Sequence, residues 1–220
     1  MTSSPGSSLA SALTLQSLPL FPLNTVMFPG GVLPLRIFEV RYLDMISRCQ
    51  RAGAPFGVVA LTQGHEVRQA GAGPEAFSQV GTLASIGKFE HPRPGLMVIR
   101  AHGGQRFRIS SSDQLKHGLW IADVEQIDPD KAVAIPEDLQ PTADALGKLI
   151  RSLQDRPDGM ERFPMLEPLQ LDDCGWVANR WCELLPMPVQ LKQRLMELDN
   201  PLVRLELVSD VLLRTGIAGT

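Results

Sequence analysis

Two hydrophobic periods run along this chain, and the change between them falls at Asp128-Pro129. From Leu18 to about Gln126 the apolar residues come in short runs broken by Gly and Pro. Val80-Gly81-Thr82-Leu83-Ala84-Ser85-Ile86, Leu96-Met97-Val98-Ile99-Arg100 and Leu119-Trp120-Ile121-Ala122-Asp123-Val124-Glu125 are candidate strands. Gln105-Arg106-Phe107-Arg108-Ile109 alternates polar and apolar residues, the mark of a strand buried on one face. Short strands at regular spacing with Gly-rich connections predict a small barrel or sandwich, because closure hides sheet edges. One helix interrupts them. Phe38, Tyr42, Met45, Ile46 and Cys49 recur at helical spacing, Arg41, Asp44 and Arg48 take other faces, and Gly53 and Pro55 end the run.

Beyond Pro129 the period is helical. Leu139, Ala143, Leu146, Leu149, Ile150 and Leu153 form a stripe that ends near Asp158-Gly159. Val177, Trp181 and Leu184 form a second, with Asp172 or Asp173 placed to cap it. Leu191, Leu195 and Leu198 form a third. The fourth opens at Asn200-Pro201, a cap followed by proline at the first helical position, and carries Leu202, Leu205, Val208 and Leu212 before Gly216. Four short amphipathic helices need one another, or the sheet, to bury these stripes.

Composition narrows the class without naming a function. Hydrophobic residues make up 44% and charged residues 20%, as in ordinary globular chains. Residues 1–15, rich in Ser, Ala, Thr and Gly, bury little and are expected to form a loose tail. The net charge is -3, and residues 1–130 hold 11 Lys+Arg against 10 Asp+Glu. No global basic field draws the chain to nucleic acid. Cys49, Cys174 and Cys182 have no CxxC spacing and are odd in number, which argues for reduced thiols. No Lys or Arg precedes Arg36, so no secretory signal is predicted. No apolar run approaches the roughly 20 residues that span a bilayer. The expectation is a cytoplasmic protein.

The segment Leu18-Pro19-Leu20-Phe21-Pro22-Leu23 opens a more specific pattern. It continues through Val26-Met27-Phe28-Pro29-Gly30 and Leu33-Pro34-Leu35-Arg36-Ile37-Phe38-Glu39 to Arg41-Tyr42. Phe56-Gly57-Val58-Val59, the Val80–Ile86 run with Gly81, and Gly104-Gln105-Arg106-Phe107-Arg108-Ile109 follow in order. Leu184-Leu185-Pro186, Lys192 to Glu197 and Arg204-Leu205 come later. Together these pieces resemble the amino-terminal substrate-binding domain of the Lon protease family over roughly residues 17–213. The resemblance implies an α+β fold, a PUA-like β-barrel over residues 16–130 with one internal helix, followed by a four-helix α-helical subdomain over 131–216. That agrees with the two periods.

The motif residues have structural readings of their own. Pro22, Pro29 and Pro34 stiffen the chain and blunt strand edges. Gly30 permits a tight turn. Phe28 and Phe38 are candidate core residues, Glu39 sits where a helix begins, and Arg41 and Glu39 can form an ion pair with neighbours. Tyr42, Gly81, Arg106 and Phe107 complete the set of motif positions for which structural roles are expected.

The chemistry of the rest of the Lon family is missing from these 220 residues. A phosphate-binding loop needs G-x-x-x-x-G-K-[ST]. Here Gly87-Lys88 is followed by Phe89 and Gly147-Lys148 by Leu149, with no glycine at the required spacing before either. His65, His91, His102 and His117 show no metal-ligand spacing. Cys174 and Cys182, eight apart on one helix, read as buried thiols. Ser110-Ser111-Ser112-Asp113 reads as a turn, and Gly103-Gly104 as a turn between strands. No catalytic residue, metal or cofactor is expected, and peptidase activity is expected to belong to full-length Lon proteases and not to these residues.

Two functional readings follow. The resemblance implies a recognition module for unfolded or degron-bearing polypeptides, acting alone or with a separate protease. Met27 and Val32 near the Phe28-Pro29-Gly30-Gly31 turn are expected to be exposed contacts. So are Phe89, His91 and Arg93 in a loop from Phe89 to Pro94 that should protrude between two strands. The alternative is RNA binding, since Lys88, Arg93, Arg100, Arg106 and Arg108 lie close together and Arg106 and Arg108 share a strand face. Negative net charge and only 5% aromatics argue against it and for a solvated face.

Overall fold

The alternating segments become strands in the computed structural model, which describes residues 14–67, 73, 75–155 and 165–215. They are β1 (Thr14–Leu23), β2 (Val32–Ile37), β3 (Phe56–Gln63), β4 (Ala76–Phe77), β5 (Val80–Arg93), β6 (Leu96–Gln114) and β7 (Trp120–Gln126). Helix α1 (Val40–Ala52) lies between β2 and β3. After a 3-10 turn at Glu137–Leu139 come α2 (Gln140–Gln154), α3 (Cys174–Leu184), α4 (Val189–Glu197) and α5 (Pro201–Thr215). Strand β1 starts at Thr14, inside the expected tail; residues 1–13 lie outside the described residues.

The strands form one seven-stranded sheet in the order β1-β7-β6-β5-β3-β4, with β2 added to β6. A parallel pairing of β1 with β3, from Leu20 opposite Gly57 to Leu23 opposite Ala60, curls the sheet back on itself. Strands β2 and β4 lie outside that ring of pairings as edges, so the seven-stranded sheet as a whole is curled and is not a closed barrel.

Three local expectations change with this topology. Leu96–Arg100 and Gln105–Ile109 are not two strands but parts of the 19-residue β6. Gly103-Gly104 and Ser110–Asp113, expected as turns, therefore lie within the strand, the second of them near its end. Phe89 to Arg93 is not a loop: it pairs with β6, and only Pro94-Gly95 turns. Gly95, at φ 75°, supplies the left-handed backbone that so tight a hairpin requires. Bulges in β6 opposite Leu83, and in β5 between Ile86 and Lys88 and between Glu90 and Arg93, bend the long hairpin.

Three apolar clusters hold the layers. Phe21, Ile37, Tyr42, Ile46, Phe56 and Ile99 join the sheet to α1. Leu20, Val59, Phe107 and Val124 form another. The largest joins the sheet to the helices, with Phe28 and Val80 against Leu146, Val177, Trp181 and Leu205. The helix ends follow the sequence. Asp173 Oδ1 accepts the Trp176 amide at 2.7 Å, and Asn200 Oδ1 accepts that of Leu202 at 3.0 Å. Gly53, at φ 59°, ends α1 in the left-handed conformation.

Candidate functional site

The turn from Val26 to Gly31 is the junction of the molecule. Val26 and Phe28 enter the core under the helices, while Met27 between them enters the core under α1. Met27 is thus buried, where exposure was expected, because the segment runs between two cores. Thr82 Oγ1 donates to the Met27 carbonyl at 2.6 Å. Gly103 explains itself here. Gly30 N–H donates to the Gly103 carbonyl and Gly103 N–H to the Gly31 carbonyl, both at 2.8 Å. A Cβ on Gly103 would stand 2.3 Å from the Phe28 oxygen. The glycine admits a passing backbone and turns nothing.

Helix α3 pins the same turn from the other side. The fully buried Arg180 donates from Nη2 to the Pro29 carbonyl at 2.9 Å and to Glu183 Oε1 at 3.0 Å. Burial pushes the Glu183 carboxyl up to about 7, against the attraction of Arg180 and Lys192. A pocket of about 160 Å³ beside this pair is lined by Met27, the half-buried Val32, Met165, Glu183 and Lys192.

A larger concavity, of about 410 Å³, lies between β6 and α3 and is walled by Gly30, Gly104, Asp130, Glu167 and Trp176. At its base Arg106 donates to the Met196 carbonyl at 2.9 Å and to Asp130 Oδ1 at 3.2 Å. Arg106 is buried and committed to the helical half, so the solvated basic face read from the sequence loses its central member. Lys88 is paired with Glu90 at 2.8 Å.

The third concavity is apolar and open. A groove of about 330 Å³ beside α1 is lined by Phe21, Leu35, Ile37, Phe38, Tyr42 and Val67. Phe21 and Tyr42 stack with ring centroids 4.1 Å apart. Arg41 is buried despite its place off the apolar stripe. It lies 4.5 Å from the Tyr42 ring centroid and donates to Glu39 Oε2 and Glu75 Oε1, both at 3.2 Å. Glu39 and Arg41, expected to pair with neighbours, pair with each other, and Glu75 joins them.

Phe38 is 54% exposed on the rim, Val67 44% and the adjoining Val40 72%. Phe38 was expected in the core because it falls on the helical stripe of Tyr42 and Met45. It follows the strand instead. Leu35 and Ile37 point inward, so Arg36 and Phe38 point outward, and α1 begins only at Val40. That parity was the available signal for Phe38; nothing in the sequence marks Val67.

Other expected contacts lie apart from the rim. Phe89 is half-buried and continues the apolar row Leu35–Ile99–Phe89 across three strands. His91 stands edge-on to it at 4.8 Å, and His91 and Arg93 are exposed at the hairpin tip. Among the described residues no His, Cys, Asp and Glu cluster is placed to hold a metal, and no helix is long and apolar enough to cross a membrane.

Against this geometry the comparisons are decisive. The family model for the substrate-binding domain of ATP-dependent protease La (LON) matches residues 17–214. The chain belongs to the Lon substrate-binding-domain family. Lon protease 2 of Herpetosiphon aurantiacus is 30% identical over 212 residues, covering 92% of this chain and 24% of that one. The Lon protease of Anaeromyxobacter dehalogenans is 26% identical over 204 residues, covering 90% and 23%. The chain thus spans about a quarter of the length of these curated relatives. A Lon N-terminal domain protein from Xanthomonas campestris shares the fold with TM-score 0.63 and 32% identity, over 89% of this chain and 98% of that one. The N-terminal domain of a Mycobacterium avium complex Lon protease shares it with TM-score 0.57 at 18% identity, over 89% and 97%.

Within this Lon-type domain the motif residues divide by position. Pro22, Phe28, Arg41, Tyr42, Arg106 and Phe107 are buried. Gly81 lets β5 approach, since its Cβ would lie 2.5 Å from the Val58 oxygen. Pro29 and Gly30 sit in the pinned turn, while Pro34, Phe38 and Glu39 border the groove.

Proposed function

We propose that this Lon-type domain is a non-catalytic recognition module for polypeptides that expose apolar side chains, and that they dock in the groove beside α1. The observation that carries this reading is the exposure of Phe38 and Val67 on a groove whose floor is the aromatic pair Phe21 and Tyr42. Exposed apolar side chains that gather around a concavity mark interaction sites more than scattered ones do. The family model, which describes a substrate-binding domain, supports the same reading. Unfolded or degron-bearing chains are the partners, delivered to or withheld from a separate protease. Val32, Phe89, His91 and Arg93 are secondary contacts on this reading, and the buried Met27 is not one. No ATP, metal or other cofactor is required. RNA binding gains no support from a basic strand whose Arg106 is buried.

The test is a titration of the domain with a carboxymethylated, permanently unfolded model protein and with its native form. Binding at micromolar concentration to the unfolded form, weakened about tenfold by Phe38→Ser, is expected, the loss of one anchoring aromatic. Equal binding of both forms, or none, overturns the reading. Incubation with casein should give no cleavage with or without ATP; ATP-stimulated cleavage would end the non-catalytic assignment.

A further inference from the structure

The groove has a polar side that bears on the form of its ligand. Its wall is the edge strand β2, which among the described residues pairs with β6 alone, from Val32 opposite His102 to Ile37 opposite Met97. Pro34 lies in the middle of that strand. A proline is tolerated in a ladder where its nitrogen faces away from the partner strand. In an antiparallel pair the backbone groups of alternate residues point to the same side. With Pro34 turned from β6, the Pro34 carbonyl and the Arg36 N–H and carbonyl face the open edge. Both residues are exposed and line the groove. Near Val32 the edge is already approached, since Gly31 bridges Met165, so the open stretch is the one that borders the groove.

The end of the groove is acidic. Glu39 and Glu66 line it. Glu39 shares the single guanidinium of Arg41 with Glu75, so two carboxylates there have one buried cation between them. Glu66 accepts the backbone amide of Asn24 through Oε1. Arg36, on the outward side of β2, is the cation of the opposite wall.

We infer that the groove takes an extended polypeptide segment by strand addition to the open edge of β2, with alternate apolar side chains on the Phe21–Tyr42 floor and a lysine or arginine reaching Glu39 and Glu66. Backbone pairing with an edge gives affinity without regard to sequence, and pockets for alternate side chains give selectivity. The acidic end adds a preference for a basic residue. A folded helix cannot use the edge, because its own amides are already paired. The inference rests on the polypeptide-recognition reading above and specifies the conformation and charge of the bound segment.

The experiment uses the full chain and synthetic peptides of about ten residues, a length that spans one strand, followed by fluorescence anisotropy. The parent peptide alternates leucine with threonine and carries one lysine. Two variants carry N-methyl groups on one or the other set of alternate amides, and a third replaces lysine by glutamate. Methylation of one set should weaken binding about tenfold, since it removes the donors that face β2, and methylation of the other set should change it by no more than about twofold. The glutamate peptide should bind about tenfold more weakly than the parent, a gap that narrows in high salt and in Glu66→Gln. Arg36→Pro, which deletes the outward N–H, should weaken the parent peptide. The modified peptides leave the protein untouched, so their result does not depend on how that variant folds.

Equal losses from both methylated sets, or equal binding of the lysine and glutamate peptides, would overturn this inference and leave polypeptide recognition standing. So would failure of all peptides while the unfolded protein still binds through Phe38. Failure of the unfolded protein as well would remove both.

Discussion

Arg204 and Asp130 meet at 2.5 Å between Nη1 and Oδ2, joining α5 to the segment just after β7. The same carboxylate accepts from Arg106 of β6 at 3.2 Å through Oδ1. Both guanidiniums also cap the end of α4. Arg204 Nε donates to the Leu195 carbonyl at 2.9 Å, Arg106 Nη1 to that of Met196 at 2.9 Å, and both reach that of Leu198. One largely buried carboxylate therefore balances two buried cations where the sheet meets the helices.

Asp130→Asn should accordingly destabilise the chain strongly. Removing one partner of a buried network leaves charge uncompensated, at a cost of about 3–5 kcal/mol. Asp199 pairs with the same Arg106 at 3.2 Å but is 84% exposed, so Asp199→Asn should shift stability by less than about 1 kcal/mol. Urea unfolding of the two variants beside the wild type checks the contrast. Equal effects would show that Asp130 does not carry the junction.

Phe28 and Phe38 carry the same side chain in the same motif, yet only Phe28 is buried. Phe28→Ala should cost about 3–5 kcal/mol by emptying the core beneath the helices. Phe38→Ala should leave the unfolding midpoint nearly unchanged, within about 0.5 kcal/mol, as at an ordinary surface position. A large loss of stability in Phe38→Ala would mean that the rim is part of the core and not a free contact surface.

These two phenylalanines also show what the sequence makes legible. Period and turn chemistry locate most elements: Asp173 and Asn200 cap the predicted helices, and Val80, Leu96 and Trp120 begin strands close to where the pattern puts them. The misread positions are those where two periods overlap or a residue answers to a distant partner. Phe38 satisfies both the strand and the helix pattern, and parity decides. Gly103 looks like a turn, but the approach of the Phe28–Gly31 backbone is what demands it. Arg106 alternates like a surface residue, and only the fold brings Asp130 and the end of α4 to it. The groove was half visible, in Phe38 and Glu39 but not in Val67, because a concavity belongs to no single segment.

The thiols give a third prediction. Cys49, Cys174 and Cys182 are free and buried, and burial pushes the Cys182 thiol up to about 12. Thiolate is the reactive species. In the folded protein at neutral pH all three should react with an aromatic disulfide reagent only at the rate of unfolding, and at once in denaturant. A fast phase in the native protein would contradict this burial.

Glu183 supplies the last prediction, which concerns pH. Its carboxyl is held near 7 in the folded protein by burial, against an ordinary value of 4.5, although Arg180 Nε lies 2.8 Å from Oε2. Between about pH 4.5 and pH 7 the folded state therefore holds a proton on Glu183 that the unfolded chain has released. Where the folded state binds more protons, stability falls as pH rises, here by at most about 1.4 kcal/mol per pH unit from this group. Above pH 7 the contribution levels off, because both states are then ionised. Glu183→Gln cannot titrate, yet it keeps an oxygen to accept from Arg180 Nη2. Its stability should be flatter than the wild type's across that window, whatever its absolute value, since the substitution also leaves Arg180 without a counter-charge. The measurement is urea unfolding of both proteins from pH 5 to pH 8. Parallel curves would mean that Glu183 titrates alike in both states, and that it grips the Pro29–Gly31 turn as a permanent carboxylate.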